Sequence, residues 1–149
     1  MCIIILGASR TIGDIFFFGC ALDYSPRTSH HPLQSHTLQQ QDFYIEHPDV
    51  TKRPESEASG WRASKQIVIL GNDVPKPCLT FEEASMPEYV LSEVLKQGFD
   101  RPTPIQSQGW PMALKGKNMV GVSATGSGKT LAFLLPAMIH INAQVSEML

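Results

Sequence analysis

Residues 87–97 carry apolar side chains at helical spacing, with polar residues between them. Ser85 and Glu88 have the spacing of a capping box at the start of this stretch, and Gly98 stands where a C-terminal cap belongs. The pattern therefore predicts a helix over about 87–97.

Further elements are predicted on both sides of this helix. Residues 105–114 predict a second helix, residues 118–122 predict a short buried strand, and an apolar helix begins near Lys129. Upstream, the apolar run 67–70, which is β-branched at its first three positions, predicts another short strand, which the turn-forming Gly71 ends. The last helix is apolar all round, which indicates that it packs against a sheet.

Residues 1–41 differ in character from the rest of the chain. An apolar opening is followed by sequence rich in serine, histidine, proline and glutamine. Such sequence buries little apolar surface, so we predict disorder over about 24–41. We divide the chain into an unassigned, partly disordered segment 1–41, a lead-in 42–78 and a segment 79–149. An unrelated exon is one interpretation of segment 1–41.

Two candidate sites in the first 41 residues are discounted. The opening run 3–13 resembles the first strand and glycine turn of short-chain dehydrogenases, but Thr11 replaces the middle glycine and no Tyr-x-x-x-Lys pair follows. His30, His31 and His36 have no fourth metal ligand nearby, so we interpret them as solvated side chains.

Composition and charge limit the kinds of partner that the chain can bind. The formal net charge is -2 and the sequence pI is near 6.2, so nucleic-acid contacts must come from local groups and not from a global basic field. The three cysteines form no C-x-x-C pair, which argues against a zinc site or a disulfide framework. No apolar run approaches the roughly 20 residues of a membrane span, so we expect no membrane partner.

Residues 123–130 lie between the predicted strand and the last predicted helix, and they have the spacing of a Walker A phosphate-binding loop. Gly126 and Gly128 permit backbone conformations in which consecutive N–H groups point at phosphate oxygens. Lys129 would place its ammonium on the β- and γ-phosphates, and the Thr130 hydroxyl would coordinate Mg²⁺, so these two are the candidate catalytic residues. The candidate nucleotide-binding residues of the loop are Thr125, Gly126, Ser127, Gly128, Lys129 and Thr130.

A candidate adenine-binding segment, 98–106, precedes the loop. A glutamine amide can pair with adenine N6 and N7, so Gln106 could select ATP over GTP. Phe99 offers an aromatic face on which the base can stack. The accompanying Phe81 and Ile105 are interpreted as core residues.

In order and spacing, 98–106 resembles the Q motif of DEAD-box RNA helicases, and 123–130 resembles their motif I, although Ser123 replaces the usual opening Gly or Ala. We expect this small residue to be tolerated. The resemblance extends from Asp42 to near Gln144, and the lead-in is similar to that of one nuclear subgroup of the family. It implies an α/β fold: the truncated N-terminal part of a RecA-like P-loop lobe, with a parallel sheet flanked by helices.

The resemblance also implies ligands and partners. ATP and Mg²⁺ are the expected cofactors, RNA is the expected partner of the full-length protein, and ribonucleoprotein complexes are a further expected partner. Arg101 joins Phe99 and Gln106 as a candidate nucleotide-binding residue. Segment 79–149 is then the Q-motif and motif I portion of a helicase ATP-binding domain. The implied location is the nucleus, and the cytoplasm stays open.

Hydrolysis of ATP needs groups that these 149 residues do not contain. In the family that the chain resembles, they are the acidic residues of an Asp-Glu-Ala-Asp motif and arginines from a second lobe. The chain by itself is therefore predicted to be inactive, and strand 118–122 is predicted to lack the neighbouring strands of a stable lobe.

Two hypotheses for the function follow. The chain is the ATP-binding portion of an RNA helicase that unwinds or remodels RNA and RNA–protein complexes with ATP hydrolysis, or it is a catalytically inactive nucleotide-binding or interaction product. A different P-loop nucleotide hydrolase is a third reading, which Gln106 disfavours.

Overall fold

The computed structural model describes residues 2–6, 15–18 and 42–147, with side chains over residues 42–143. The predicted disorder over 24–41 and the three histidines of that stretch lie outside the described residues. The elements in chain order are β1 (Cys2–Leu6), β2 (Ile15–Phe18), α1 (Pro48–Lys52), α2 (Glu55–Ser64), β3 (Ile67–Leu70), a 3₁₀ turn (Glu82–Ala84), α3 (Glu88–Lys96), α4 (Pro104–Leu114), β4 (Met119–Val122) and α5 (Lys129–Glu147).

The four described strands form one mixed sheet in the order β2-β4-β1-β3. β1 runs parallel to β4, whereas β1 with β3 and β2 with β4 are antiparallel pairs. The α/β class predicted from the resemblance agrees with these elements, but of the pairings described only one is parallel. The expectation that strand 118–122 would lack partners was wrong, because β4 is paired along both edges.

Helix α4 lies at the centre of the molecule. Every residue from 105 to 114 is buried, so this helix contacts other elements on all sides. Gly109 allows the close approach of β4, because a Cβ there would lie 3.3 Å from the Cε of Met119. Ile105 and Met112 pack with Met119 and Ile67, which joins α4 to both β3 and β4. Strands β3 and β4 therefore pack on the same helix.

A proline inside α4 leaves one backbone carbonyl without its helical partner. Pro111 has no N–H to donate to Ser107, four residues earlier. The Cys78 N–H donates to the Ser107 carbonyl at 3.0 Å, and the Cys78 Sγ lies 3.3 Å from the same oxygen. Burial raises the pKa of the Cys78 thiol, which keeps it protonated as a donor at neutral pH. The helix therefore runs unbroken through Pro111.

Helix α5 packs on α4 through one face. Ala132, Leu135 and Ile139 are buried, and the indole Nε1 of Trp110 donates to the Leu131 carbonyl at 3.1 Å. The opposite face of α5 is exposed, at positions that include Leu134, Met138 and Ile141. The apolar composition of α5 predicted a helix packed against a sheet. Ala132 does share a cluster with Ile67 and Met119 of the strands, but the main neighbour of α5 is the helix α4. Within the described part of the chain, no helix combines the length and apolar character needed to cross a bilayer.

The lead-in 42–78 is tied to the rest of the fold by two arginines. Arg53 donates to the Pro77 carbonyl at 2.8 Å and to the Glu83 carboxylate at 2.7 Å, and this ion pair is almost fully buried. Arg62 donates to the Gln108 side chain of α4 at 2.9 Å. The lead-in therefore forms part of the packed structure through charged and polar contacts that connect it to α4 and to the 3₁₀ turn.

Of the two caps predicted for α3, the C-terminal one is confirmed and the N-terminal one is wrong. Gly98 has φ of +78° and follows the last turn, as the C-terminal cap was predicted to do. The predicted capping box was wrong, because Ser85 has φ of +55° and donates its hydroxyl to the Ile45 carbonyl. Pro87 is the residue that precedes the helix, and no side chain caps it. The Ser85 hydroxyl therefore bonds to a residue 40 positions away and not to the start of α3.

The buried pair predicts a contrast between two glutamates that face the same arginine. Glu83→Gln leaves the buried Arg53 guanidinium without its buried counter-charge, so we expect the free energy of unfolding of the full chain to fall by about 3 kcal/mol. Glu57 lies 3.5 Å from Arg53 but is 60% exposed, and Glu57→Gln should change stability by no more than about 0.5 kcal/mol. Urea denaturation followed by circular dichroism measures both values. Equal effects of the two substitutions would show that the buried pair does not stabilise the fold.

Candidate nucleotide-binding site

The predicted phosphate loop has the strand–loop–helix context that its spacing required. β4 ends at Val122, the loop follows, and α5 begins at Lys129. Gly126 and Gly128 have φ of +76° and +89°, a region that residues with a Cβ rarely adopt. The prediction that these two glycines provide unusual backbone conformations is therefore confirmed.

The loop packs directly on the start of α4. A Cβ on Gly128 would lie 2.5 Å from Nε2 of Gln106 and 2.8 Å from Oγ1 of Thr103, so any other residue at this position would have to displace these side chains. A Cβ on Gly126 would meet no atom within 4 Å. Gly128 is therefore favoured both by the lack of room for a Cβ and by its positive φ, whereas Gly126 is favoured by its positive φ alone.

The side-chain amide of Gln106 connects the two predicted motifs. Its Oε1 accepts the Thr103 N–H at 3.0 Å, and its Nε2 donates to the Gly128 carbonyl at 3.1 Å. A backbone N–H can bond only to the amide oxygen, and a carbonyl only to the amide nitrogen, so these partners fix which way the amide points. Among the described residues these are the two hydrogen bonds of the amide, so one lone pair on Oε1 and one hydrogen on Nε2 of this 5% exposed side chain are unused there.

Lys129 lies across the phosphate loop. Its Nζ donates to the carbonyls of Ser123 and Ala124 at 2.7 and 2.8 Å. Ser123 is buried, and its hydroxyl lies 2.7 Å from that of Ser127. The unusual first residue of the loop is thus accommodated through a hydrogen bond that Gly or Ala could not make.

The other predicted site residues lie at the surface. Phe99 is 50% exposed on the turn before α4, where its ring is accessible to a ligand. Arg101, Thr125 and Thr130 are also exposed. The structure therefore brings Gln106 into contact with the phosphate loop. Phe99 and Arg101, which precede Gln106 by seven and five residues, are exposed to solvent.

The prediction that Phe81 and Ile105 are core residues is confirmed. Phe81 is 4% exposed, and its ring centroid lies 6.0 Å from that of Trp110. Ile105 is fully buried and packs with Ile67 of β3 and Met119 of β4. Both side chains therefore belong to the hydrophobic core, as predicted.

Sequence reasoning missed Thr103 as a site residue. It precedes α4, its backbone N–H holds Gln106, and its buried Oγ1 faces Gly128 without a hydrogen-bond partner in the described part of the chain. The spacing of Thr103 and Gln106, a threonine three residues before a glutamine at a helix start, is that of a capping box and could have indicated this contact.

Comparison with known proteins identifies the family. The family model described as DEAD/DEAH box helicase matches residues 103–148, which contain Gln106 and the phosphate loop. Over 105 residues, 70% of this chain and 19% of the relative, the chain is 59% identical to ATP-dependent RNA helicase dbp2 of Schizosaccharomyces pombe. It is 55% identical to DBP2 of Saccharomyces cerevisiae over the same shares of the two chains.

A third relative extends the match slightly. DBP2 of Scheffersomyces stipitis is 55% identical over 112 residues, which is 75% of this chain and 21% of that protein. The chain thus spans about a fifth of the length of the curated relatives it matches. The contact of Gln106 with the phosphate loop, the match to the family model and the identity to these helicases lead to one conclusion: the chain belongs to the DEAD-box RNA helicase family.

Proposed function

We propose that this chain supplies the ATP-binding portion of an ATP-dependent RNA helicase. The observation that carries the proposal is the Gln106 amide, which bonds at one end to the Gly128 carbonyl of the phosphate loop and keeps unused hydrogen-bonding capacity for a base. The relatives are named ATP-dependent RNA helicases. This contact places a candidate base reader beside a candidate phosphate loop, so one nucleotide could engage both.

Adenine recognition is assigned to Gln106 and Phe99. The free lone pair of Oε1 can accept from adenine N6, and the free hydrogen of Nε2 can donate to adenine N7. Guanine presents an acceptor, O6, in place of the N6 donor, so the same fixed amide would oppose it. The half-exposed Phe99 ring supplies a surface for stacking, and the exposed Arg101 supplies a nearby positive charge.

The phosphates and Mg²⁺ are assigned to residues 125–130. The two glycine conformations and the N-terminus of α5 present backbone N–H groups and a partial positive charge. Lys129 adds a full charge that is now held by two loop carbonyls, so a triphosphate would compete with those carbonyls for the ammonium. The exposed Thr130 hydroxyl is the proposed Mg²⁺ ligand in this stretch. Mg²⁺ would supply charge neutralisation at the β- and γ-phosphates.

The finer assignments follow from the family. We propose that β4, the phosphate loop and α5 form the first strand–loop–helix unit of a RecA-like lobe. RNA and ribonucleoprotein complexes are the proposed partners of the full-length protein, and unwinding or remodelling of RNA with ATP hydrolysis is its proposed activity. The proposed location is the nucleus, with the cytoplasm as a second compartment, on the similarity of the lead-in to the nuclear subgroup.

A second candidate function rests on one observation. The 149 residues contain no Asp-Glu-Ala-Asp sequence, so they hold a nucleotide-binding loop without the acidic groups that hold Mg²⁺ and orient water. As a separate molecule, the chain would be a catalytically inactive nucleotide-binding or interaction product.

The proposal predicts that Gln106 determines base selectivity. Gln106→Ala should lower the affinity for ATP about tenfold and leave the affinity for GTP nearly unchanged, since one bidentate contact is worth roughly 1–3 kcal/mol. Titration with fluorescent ATP and GTP analogues measures the two dissociation constants. Gln108→Ala is the matched control, because Gln108 lies on the same helix but bonds to Arg62 and Pro75. A ratio of ATP to GTP affinity that Gln106→Ala leaves unchanged would contradict the assignment.

Two glycine substitutions separate conformational strain from steric conflict. Gly126→Ala should cost about 1–2 kcal/mol of stability through its positive φ alone. Gly128→Ala adds a Cβ that must displace Gln106, so it should cost more stability and also abolish the preference for ATP over GTP. Thermal unfolding and the same nucleotide titrations distinguish them. If both variants keep the preference for ATP, the contact between Gln106 and the loop does not position the amide.

The chain by itself is predicted to bind ATP without turning it over. We expect no RNA-stimulated phosphate release above background, because the acidic groups for Mg²⁺ and water are absent from the 149 residues. A colorimetric phosphate assay with and without RNA measures this. Release that Lys129→Ala abolishes and Lys96→Ala preserves would overturn the prediction, since Lys96 is an exposed lysine that pairs with Glu93.

A further inference from the structure

Both edges of β4 are occupied by strands from the first 18 residues of the chain. On one edge β1 pairs in parallel, with Cα partners running from Cys2 with Met119 to Ile5 with Val122. On the other edge β2 pairs in the antiparallel direction, from Ile15 with Val122 onwards. The strand that leads directly into the phosphate loop therefore makes its described ladder contacts with a segment that precedes the helicase resemblance.

β1 also joins β4 to the strand of the lead-in. β3 pairs with β1 over its full length, from Ile67 with Leu6 to Leu70 with Ile3. β3 and β4 are not neighbours in the sheet order, because β1 lies between them. Their separation is therefore two strand spacings, each about 4.8 Å. Without β1, both facing edges would present unpaired N–H and C=O groups.

The two strands on either side of β1 also pack against the same helix, α4. Ile67 of β3 and Met119 of β4 are both buried against Ile105 and Met112 of α4. Side-chain contacts with one helix thus hold the two strands on either side of a space one strand wide. Such a space requires an extended segment whose backbone groups can pair on both sides.

We propose that the gap between β3 and β4 is a strand-acceptor site, and that residues 2–6 occupy it in cis. The segment Cys2–Leu6 contains three consecutive isoleucines and neither proline nor charge, which suits a strand with neighbours on both edges. Recognition of this kind is strand addition, in which main-chain hydrogen bonds supply the affinity. The chemistry that the site accepts is an apolar, β-branched strand running parallel to β4.

This inference gives segment 1–41 a role that is separate from nucleotide chemistry. By pairing with β3 and β4, β1 would connect the lead-in to the phosphate loop in one continuous sheet. The segment would then be required for the fold of this chain, and ATP contacts would not come from it. The proposal does not depend on the assignment of the adenine or phosphate residues, so the two can fail independently.

Cysteine cross-linking of the full chain tests the position of β1. In a background with Cys2→Ser and Cys20→Ser, Ile3→Cys with Leu70→Cys places thiols on paired residues of an antiparallel ladder. Their Cα atoms are then about 4.5–5.5 Å apart, which a disulfide can span. Leu70 is 51% exposed, so its replacement does not disturb the core. Mild oxidation followed by mass spectrometry of unreduced peptides measures the yield.

A matched pair that is out of register supplies the control. Leu6→Cys with Leu70→Cys uses a β1 residue whose partner is Ile67, three positions away along β3, which puts the thiols about 10 Å apart. We expect the in-register disulfide to form at least about tenfold faster, within a monomer. Equal rates for the two pairs, or a disulfide-linked dimer, would overturn occupation of the gap in cis.

Hydrogen exchange provides a second measurement on the same chain. Ile4→Pro removes a ladder N–H from a strand with two neighbours, and Ile4→Val keeps the backbone donor and the β-branched side chain. We expect exchange of the β3 and β4 amides to accelerate about tenfold or more with Ile4→Pro and to stay near the original rate with Ile4→Val. Unchanged protection of residues 119–122 in the proline variant would show that β1 is not their partner.

Discussion

The amide of Gln106 lies where the start of α4 meets the phosphate loop, and its two hydrogen bonds connect these parts of the site. One bond is to the helix's own N-cap residue and the other is to the Gly128 carbonyl, 22 residues later in the chain. The absence of a Cβ at Gly128 is what permits the approach. Because these partners fix the orientation of the amide, a change in the conformation of the loop must also change the position of the Gln106 side chain, which is the proposed base-reading group.

The burial of α4 determines how the surrounding segments must be arranged. A helix that is buried on all sides carries polar groups into the core, and each of them needs a partner. Cys78 supplies one for the Ser107 carbonyl, Arg62 supplies one for Gln108, and the Leu131 carbonyl accepts from Trp110. Cys78 and Arg62 belong to the lead-in, and Leu131 belongs to α5. The polar contacts of one helix therefore place two other parts of the chain.

In this sheet the location of two strands could be predicted from the sequence, but the strands that pair with them could not. Short β-branched or apolar runs predicted the strands at 67–70 and 118–122, and the structure has both. Their neighbours could not be predicted, because pairing is set by contacts between residues far apart in sequence. In this chain the neighbour of both strands is β1, from a segment that the sequence pattern left unassigned.

The sequence by itself determined the local features of this protein: the glycine conformations of the phosphate loop, the helix before it, the cap at Gly98 and the residue types that suit a nucleotide. Spacing is sufficient for these because each depends on residues within one turn or one loop. Tertiary structure decided the rest. It moved Ser85 from its predicted cap to the Ile45 carbonyl and brought Thr103 and Gln106 against Gly128. Those contacts join residues more than 20 positions apart in sequence, and a local pattern carries no information about them.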